Sequence, residues 1–474
     1  MIPAQDDDTT MKRYTALAIT DLDDFVFGRA PRPVKAGNGL VIGDGLVFPE
    51  VNFTLPPMNI DAGTLPDVQS QYAAMIEGVC ARAVELEAPG LVVEFELLPP
   101  MTLEPDWGAD ITAILRGTLD RYARSDGLKS ALRVTPNDIR DFTRPPRIQD
   151  GPLWDKMMRS LEACAVAGAD LLSIESTGGK EVGDEALLYG DLAGAVFALG
   201  ILGSRDMARL WDAIITIADQ HGVIAAGDSA SAFGNTALML AHQRYIPKVW
   251  AAVVRVMTVA RSLVAYEVGA AGPGKDAAFE GPYLKAITGY PISAAGAGAA
   301  VALPTPFGNL VQATADLLSN ETVQNVKLPA GMAPTVSVEQ LTYAARVLNV
   351  ATARGRQTAL SLRDCLTESD AHLDPQAYVL RPDVVLSIAA DIVAEATPYR
   401  RTRQAALSAL ATLRAAHAQG RVAIPETETE WLDRLSRQAD QLPEDEAEFI
   451  AARAPGIDPA KVRLEDYDLL PAQR

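Results

Sequence analysis

Along this chain, segments with apolar residues at roughly helical spacing alternate with short apolar runs, and glycine or proline marks most of the joints. Residues 66–88 read as a helix carrying Tyr72, Met75, Ile76, Val79 and Val84 on one stripe, and Pro89-Gly90 ends it. The run LVVEFELL at 91–98 reads as a buried strand with inward carboxylates at its end. The alternation repeats three times: helix 111–127 and strand 131–136, helix 157–168 and strand 169–177, helix 210–222 and strand 223–230. A further apolar run at 262–267 reads as a strand ending in Tyr266 and Glu267, whose side chains then lie on opposite faces. Helix-then-strand order with short connections predicts a parallel α/β sheet. Residues 12–65 are rich in turns and show no helical stripe, and no element is placed there. From about residue 335 onward the segments are Ala-, Leu- and Arg-rich with helical spacing, which predicts a helical C-terminal region. Its Arg400, Arg401 and Arg403 are expected on a solvated face.

Charge narrows the function classes. With 42 Lys and Arg against 61 Asp and Glu, the 474-residue chain carries a formal charge of −19. No run of five cations exists, so neither nucleic acid nor an anionic membrane is an expected partner. The first eleven residues are acidic and polar, unlike a signal peptide, and are expected to form a disordered tail. Apolar stretches are interrupted before about 18 residues, so no membrane span is predicted. Cys80, Cys164 and Cys365 are scattered without C-x-x-C spacing, as are His221, His242, His372 and His417. That pattern excludes a disulfide framework and an all-cysteine metal site, and a reducing cytoplasmic compartment is expected.

The candidate chemistry sits where strands end. Glu94, Glu96, Asp138, Glu175 and Asp228 all fall at or just past a predicted strand, where barrel enzymes place their functional groups. The loop GPGKD at 272–276 lacks the spacing and the hydroxyl residue of a phosphate loop, so it is read as a rigid loop presenting Lys275 or Asp276.

Nine further stretches make the chain resemble a known family, the methanol:corrinoid methyltransferases. They are VKAGNGLVIGDGLVFPEVNF (34–53), DWGAD (106–110), ALRVTPNDIR (131–140), GADLLSIESTGGKE (168–181), AGDSASAFGNTA (226–237), RSLVAYEVGAAGPGKD (261–276), LKAITGYP (284–291), GNLV (308–311) and SNETV (319–323). The resemblance implies a (β/α)8 TIM barrel over 12–335 with an N-terminal extension, and a helical region over 336–474 packed on the barrel or on a dimer partner. It also implies a homodimer that works with a separate corrinoid-binding protein carrying the cobamide. In the family a zinc ion held by one glutamate and two cysteines polarises the substrate oxygen, and Co(I) of the partner takes the methyl group. The glutamate corresponds to Glu175, but the cysteine positions fall on Ser231 and Val301. Histidines near strand ends in the methanol enzymes fall on Val134, Leu97 and Leu303. The resemblance therefore implies a member that binds no zinc.

That departure changes the expected substrate. Hydroxide is a very poor leaving group, so methanol needs strong electrophilic help, whereas a larger N-, S- or O-methyl donor needs less. Small residues at 294–302 enlarge a pocket in the same sense. Glu175, Asp228, Glu267 and Asp276 are the expected catalytic groups, with Glu94, Ser231, Asn235, Tyr266 and Val301 expected to bind substrate. Tyr266, Phe279 and Phe233 are candidate aromatic walls for a cationic donor. Three alternatives stand beside this reading: a zinc-dependent methanol enzyme, a non-catalytic barrel that binds a small molecule or the corrinoid protein, and a barrel enzyme of unrelated chemistry.

Overall fold

The computed structural model describes residues 12–55, 58–275, 278–295, 305–324 and 326–469. A hairpin of β1 (Arg29–Ala36) and β2 (Leu40–Asp44) precedes seven parallel strands: β3 (Phe48–Thr54), β4 (Leu91–Leu97), β5 (Ser130–Pro136), β6 (Leu171–Ile174), β7 (Ile224–Asp228), β8 (Ser293–Ala295) and β9 (Leu317–Val323). Their order in the sheet is β7-β6-β5-β4-β3-β9-β8. The eighth place is taken by irregular backbone. Ala271 N–H donates to Ala225 O of β7 at 2.8 Å, Ser293 N–H of β8 donates to Gly274 O at 2.9 Å, and Gly274 bridges Ile292 in parallel. Residues 271–275 thus join the two edges of the sheet and close an α/β barrel of the TIM type.

The period of two along the strands sorts side chains into an outer and an inner set. Val93, Phe95, Leu97, Leu132, Val134, Leu172 and Ile174 face the helices and belong to the large core. Leu97 and Val134 therefore pack between the barrel wall and the helix layer, away from the mouth. Phe48, Val92, Ala131, Leu171 and Leu317 form a separate apolar cluster inside the barrel, where Leu40 and Ile42 of the hairpin cover them. Above this floor the interior turns polar. Arg133 Nε lies 2.7 Å from Glu50 Oε1, and its Nη1 reaches Ser173 Oγ at 2.8 Å and Pro273 O at 3.0 Å. Glu50 also accepts from Ser293 Oγ. Strand β3 is absent from the sequence reading because its inward residues, Glu50 and Asn52, are polar and break the apolar run.

Two expectations are corrected. Residues 262–267 do not form a strand but the last turns of a helix, Lys248–Val268, in which nearly every residue is buried. A helix enclosed on all sides has no polar stripe, so a short window of it cannot be told from a buried strand. This helix has the length and apolar composition of a membrane span, yet its apolar window is wholly inside the fold. Arg401 is also not on a solvated face. It is 1% exposed and its Nη1 pairs with Glu267 Oε1 at 2.8 Å, tying helix Pro398–Ala418 to helix Lys248–Val268. The N-terminal tail, 1–11, lies outside the described residues.

Candidate functional site at the barrel mouth

The upper layer of the barrel interior gathers four charged side chains. Period two places Glu94 and Glu96 of β4 on the inner face, one above the other. Glu175 follows β6 directly, and Lys275 arrives from the irregular eighth segment. Lys275 Nζ lies 2.7 Å from Glu94 Oε1, 3.0 Å from Glu175 Oε1 and 3.9 Å from Glu96 Oε2. Lys275 and Glu94 are buried, whereas Glu175 and Glu96 are about 30% exposed toward the mouth. Thr135 Oγ1 donates to Glu94 Oε1 at 2.7 Å, and Asn52 Nδ2 donates to Glu96 Oε2 at 2.9 Å.

The environments of these acids differ in sign. Burial pushes the Glu94 carboxyl up, but Lys275 and Arg133 outweigh it and hold the group below the usual carboxylate range. Burial pushes Glu96 up as well, and there the pull of Lys275 is offset by the neighbouring Glu175 and Glu94 charges, so its carboxyl stays raised. Burial alone would discharge Lys275, but the charges of Glu175, Glu94 and Glu96 raise it well above the ordinary lysine value. The layer therefore favours the charged forms of Lys275 and Glu94 and shifts Glu96 toward its neutral form.

A cavity of about 410 Å³ opens over this layer. Glu96, Thr135, Asn137, Glu175, Ser231 and Asn235 are among its walls. Ser231 and Asn235 stand one turn apart on the helix Ser231–His242, which begins just past β7. Ser231 Oγ lies 3.2 Å from Ser229 Oγ. Asn235 Oδ1 is buried and has no hydrogen-bond partner among the described residues.

The loop that carries Glu175 is clamped from three sides. Ser176 Oγ donates to Asp228 Oδ2 at 2.7 Å, while Asp228 is itself buried against Arg261 and Trp211 Nε1. Asp138 accepts from Thr177 N–H at 2.8 Å and is paired with Arg140, which bridges to Asp206. Tyr467 Oη, near the C-terminus, accepts from Gly179 N–H at 3.0 Å. A Cβ on Gly178 would meet the Asp206 carboxylate at 2.2 Å, and Gly179 has φ +84°, so both positions require glycine.

Of the residues expected from sequence, the structure brings Glu175, Ser231 and Asn235 together at the cavity and sets Glu94 beneath them. It does not bring Asp228, Glu267 or Tyr266 there. Asp228 holds the loop from below. Glu267 is bound by Arg401 and by Tyr14 N–H at 3.0 Å, and Tyr266 is stacked on Tyr290 with centroids 6.0 Å apart. Phe233 and Phe279 are committed to Arg261 and Arg255. Asp276, Val301 and Leu303 lie outside the described residues, as does most of the small-residue run. Lys275 and Glu96 stand at the mouth although neither is among the catalytic and binding residues expected from the sequence. Glu96 has a signal in its i, i+2 relation to Glu94, and Lys275 has one only in the loop expected to present it or Asp276.

The described side chains do not fit a zinc ion. Among them no three His, Cys, Asp or Glu residues form a set able to hold a metal. Glu175 is engaged by an ammonium, and the Ser231 hydroxyl is a neutral, weak zinc donor. Cys80 and Cys164 lie in the helix layer with their thiols pushed up to about 12 by burial.

Comparison with known proteins supplies the family. The family described as methanol-cobalamin methyltransferase B subunit matches residues 11–467. The methanol–corrinoid protein co-methyltransferase of Methanosarcina barkeri is 35% identical over 444 residues, 93% of this chain and 95% of that protein. A chain in the crystal structure of the methanol:cobalamin methyltransferase complex MtaBC from Methanosarcina barkeri superposes with a TM-score of 0.91 at 33% identity, covering 96% of this chain and 100% of that one. With its closed parallel barrel and its acids gathered at the strand ends, this chain belongs to the methanol-cobalamin methyltransferase B subunit family and is a methyltransferase.

Proposed function

We propose that this protein moves a methyl group from a small methylated donor to Co(I) of a corrinoid carried by a separate protein, without zinc, and that the donor is larger than methanol. The corrinoid partner is supported by the whole-chain likeness to a protein crystallised as part of a methanol:cobalamin methyltransferase complex. The single observation that carries the finer reading is the donor set at the cavity: Glu175 is paired with an ammonium and shares the lining with the Ser231 hydroxyl, and no thiol or imidazole stands among the described lining residues. A cavity of about 410 Å³ is also many times the ~30 Å³ share of one water molecule, more room than methanol fills. Asn235 and Ser231 orient the donor, and Glu175 and Glu96 face its departing atom.

Elemental analysis and a transfer assay test this together. The purified protein is expected to carry far less than one zinc per chain and to convert cob(I)alamin to methylcobalamin with a methylated donor after exhaustive chelation. Stoichiometric zinc that resists dialysis, with activity lost on its removal, would establish the zinc-dependent methanol reading instead. That second reading is favoured by the 35% identity to a methanol enzyme.

A further inference from the structure

From the geometry of the mouth we infer that Glu96 is the proton donor to the leaving oxygen and that the donor class is a neutral methyl ether. The inference deepens the proposed function and rests on it. Glu96 stands on the cavity wall beside Glu175, and Asn52 Nδ2 fixes its Oε2 at 2.9 Å. That bond occupies Oε2 and leaves Oε1 as the oxygen free to carry the proton. Four groups face Glu96: Lys275, Glu175 and Glu94 across the barrel interior, and Tyr72 from the helix Leu65–Glu85 behind it. The Glu175 and Glu94 carboxylates disfavour a third charge beside them, and the Tyr72 phenol, kept neutral by burial, adds none; Lys275, at 3.9 Å, is placed to neutralise the charge once the proton has left.

The described walls disfavour two other donor classes. Asp138, Asp141 and Glu175 line the cavity, which repels an anionic donor. The only aromatic ring among the described lining residues is Phe142, half exposed at the rim, so no aromatic cage receives a quaternary ammonium. A neutral ether needs neither. In the step, Co(I) attacks the methyl carbon as a nucleophile and forms the Co–C bond. The C–O bond breaks with its electron pair moving to oxygen, which takes the Glu96 proton and departs as an alcohol or phenol. Cobalt is formally oxidised to Co(III), the methyl carbon is the electrophile, and solvent returns the proton to Glu96.

The test measures methylcobalamin formation from cob(I)alamin with four probes: 2-methoxyphenol, 4-nitroanisole, methanol and trimethylsulfonium. The wild-type protein is expected to use 2-methoxyphenol faster than methanol, with a rate that falls as pH rises through the Glu96 titration. Glu96→Gln keeps the shape and the Asn52 contact but carries no acid proton. It is expected to slow 2-methoxyphenol by about 100-fold or more, the range for losing a general acid. The loss should be at least ten times smaller for 4-nitroanisole, whose phenolate leaves unaided, and for trimethylsulfonium, which leaves as a neutral sulfide. Equal losses on all donors, with an unchanged pH profile, would make Glu96 a positioning residue and overturn the inference. Wild-type turnover of methanol alone would overturn the ether class while leaving the methyltransferase intact. Transfer from no donor would sink the proposed function as well.

Discussion

Lys275 is the residue on which the mouth turns. Its ammonium is the nearest cation to two carboxylates, one of them 2% exposed. Removing it leaves Glu94 charged in a site that water scarcely reaches, and breaking a buried pair from one side typically costs about 3–5 kcal/mol. Lys275→Met is therefore expected to lower unfolding stability by that order at neutral pH, read from denaturant midpoints. The sign of the pH dependence follows from Glu94. Its folded-state carboxyl is held low, so it contributes stability above the ordinary carboxylate range and loses it as pH falls through the lowered value. The variant lacks that contribution, so its deficit against wild type should shrink as pH falls below about 4. A deficit that stays constant from pH 7 to pH 3 would show that Lys275 acts through packing alone.

At the scale of elements, charged contacts far apart in sequence lock the helices and loops that surround the mouth. Arg401 binds Glu267 and also donates to Tyr14 O at 2.8 Å, so three segments meet at one buried guanidinium. Arg401→Met is expected to destabilise by about 3–5 kcal/mol through the Glu267 charge left behind. A melting temperature within a degree of wild type would show that this corner tolerates the charge. The C-terminal turn Leu464–Tyr467 reaches across to the loop that carries Glu175. Tyr467→Phe removes the acceptor for Gly179 N–H, a buried group whose orphaning costs about 1–3 kcal/mol. Because that N–H sits four residues past Glu175, methyl transfer is expected to fall more steeply than stability does. Parallel melting curves and cob(I)alamin assays on the same preparation separate the two: a loss of stability with the turnover number unchanged would confine Tyr467 to holding the fold.

At the scale of the whole molecule, an exposed apolar stripe bears on assembly. The helix Ala333–Ala353 exposes Tyr343, Val347 and Val350 at steps of four and three, with 48%, 59% and 48% of each accessible. Such a stripe on one helical face suits a second copy of the chain, as the family resemblance implies. Light scattering at micromolar concentration is expected to give twice the chain mass, and Val347→Lys to shift it toward a single chain. A wild-type monomer would remove the homodimer from the account. The high negative charge bears on the same measurement, because self-repulsion is screened by salt; association should strengthen between about 0.01 and 0.15 M ionic strength as the Debye length shortens from ~30 Å to ~8 Å.

Local periodicity alone was enough to identify the helix-strand alternation, the inward Glu94 and Glu96, and the strand-end placement of Glu175, because each depends on residues within a few positions of one another. The motif set added the family and with it the barrel. What periodicity could not report was partnership. Asp228 and Glu267 looked like free strand-end acids, yet Arg261 and Arg401, 33 and 134 residues away, claim them inside the fold. The strand read at 262–267 was a buried helix, since burial on every side erases the stripe that distinguishes the two. Lys275 reached the mouth only because backbone bonds from 271–275 to β7 and β8 close the ring and bring its ammonium against β4 and β6. Side-chain direction is a short-range property of the chain. The choice of which charges neutralise one another is made by the closure of the barrel, and that closure decided which acids were left to face the cavity.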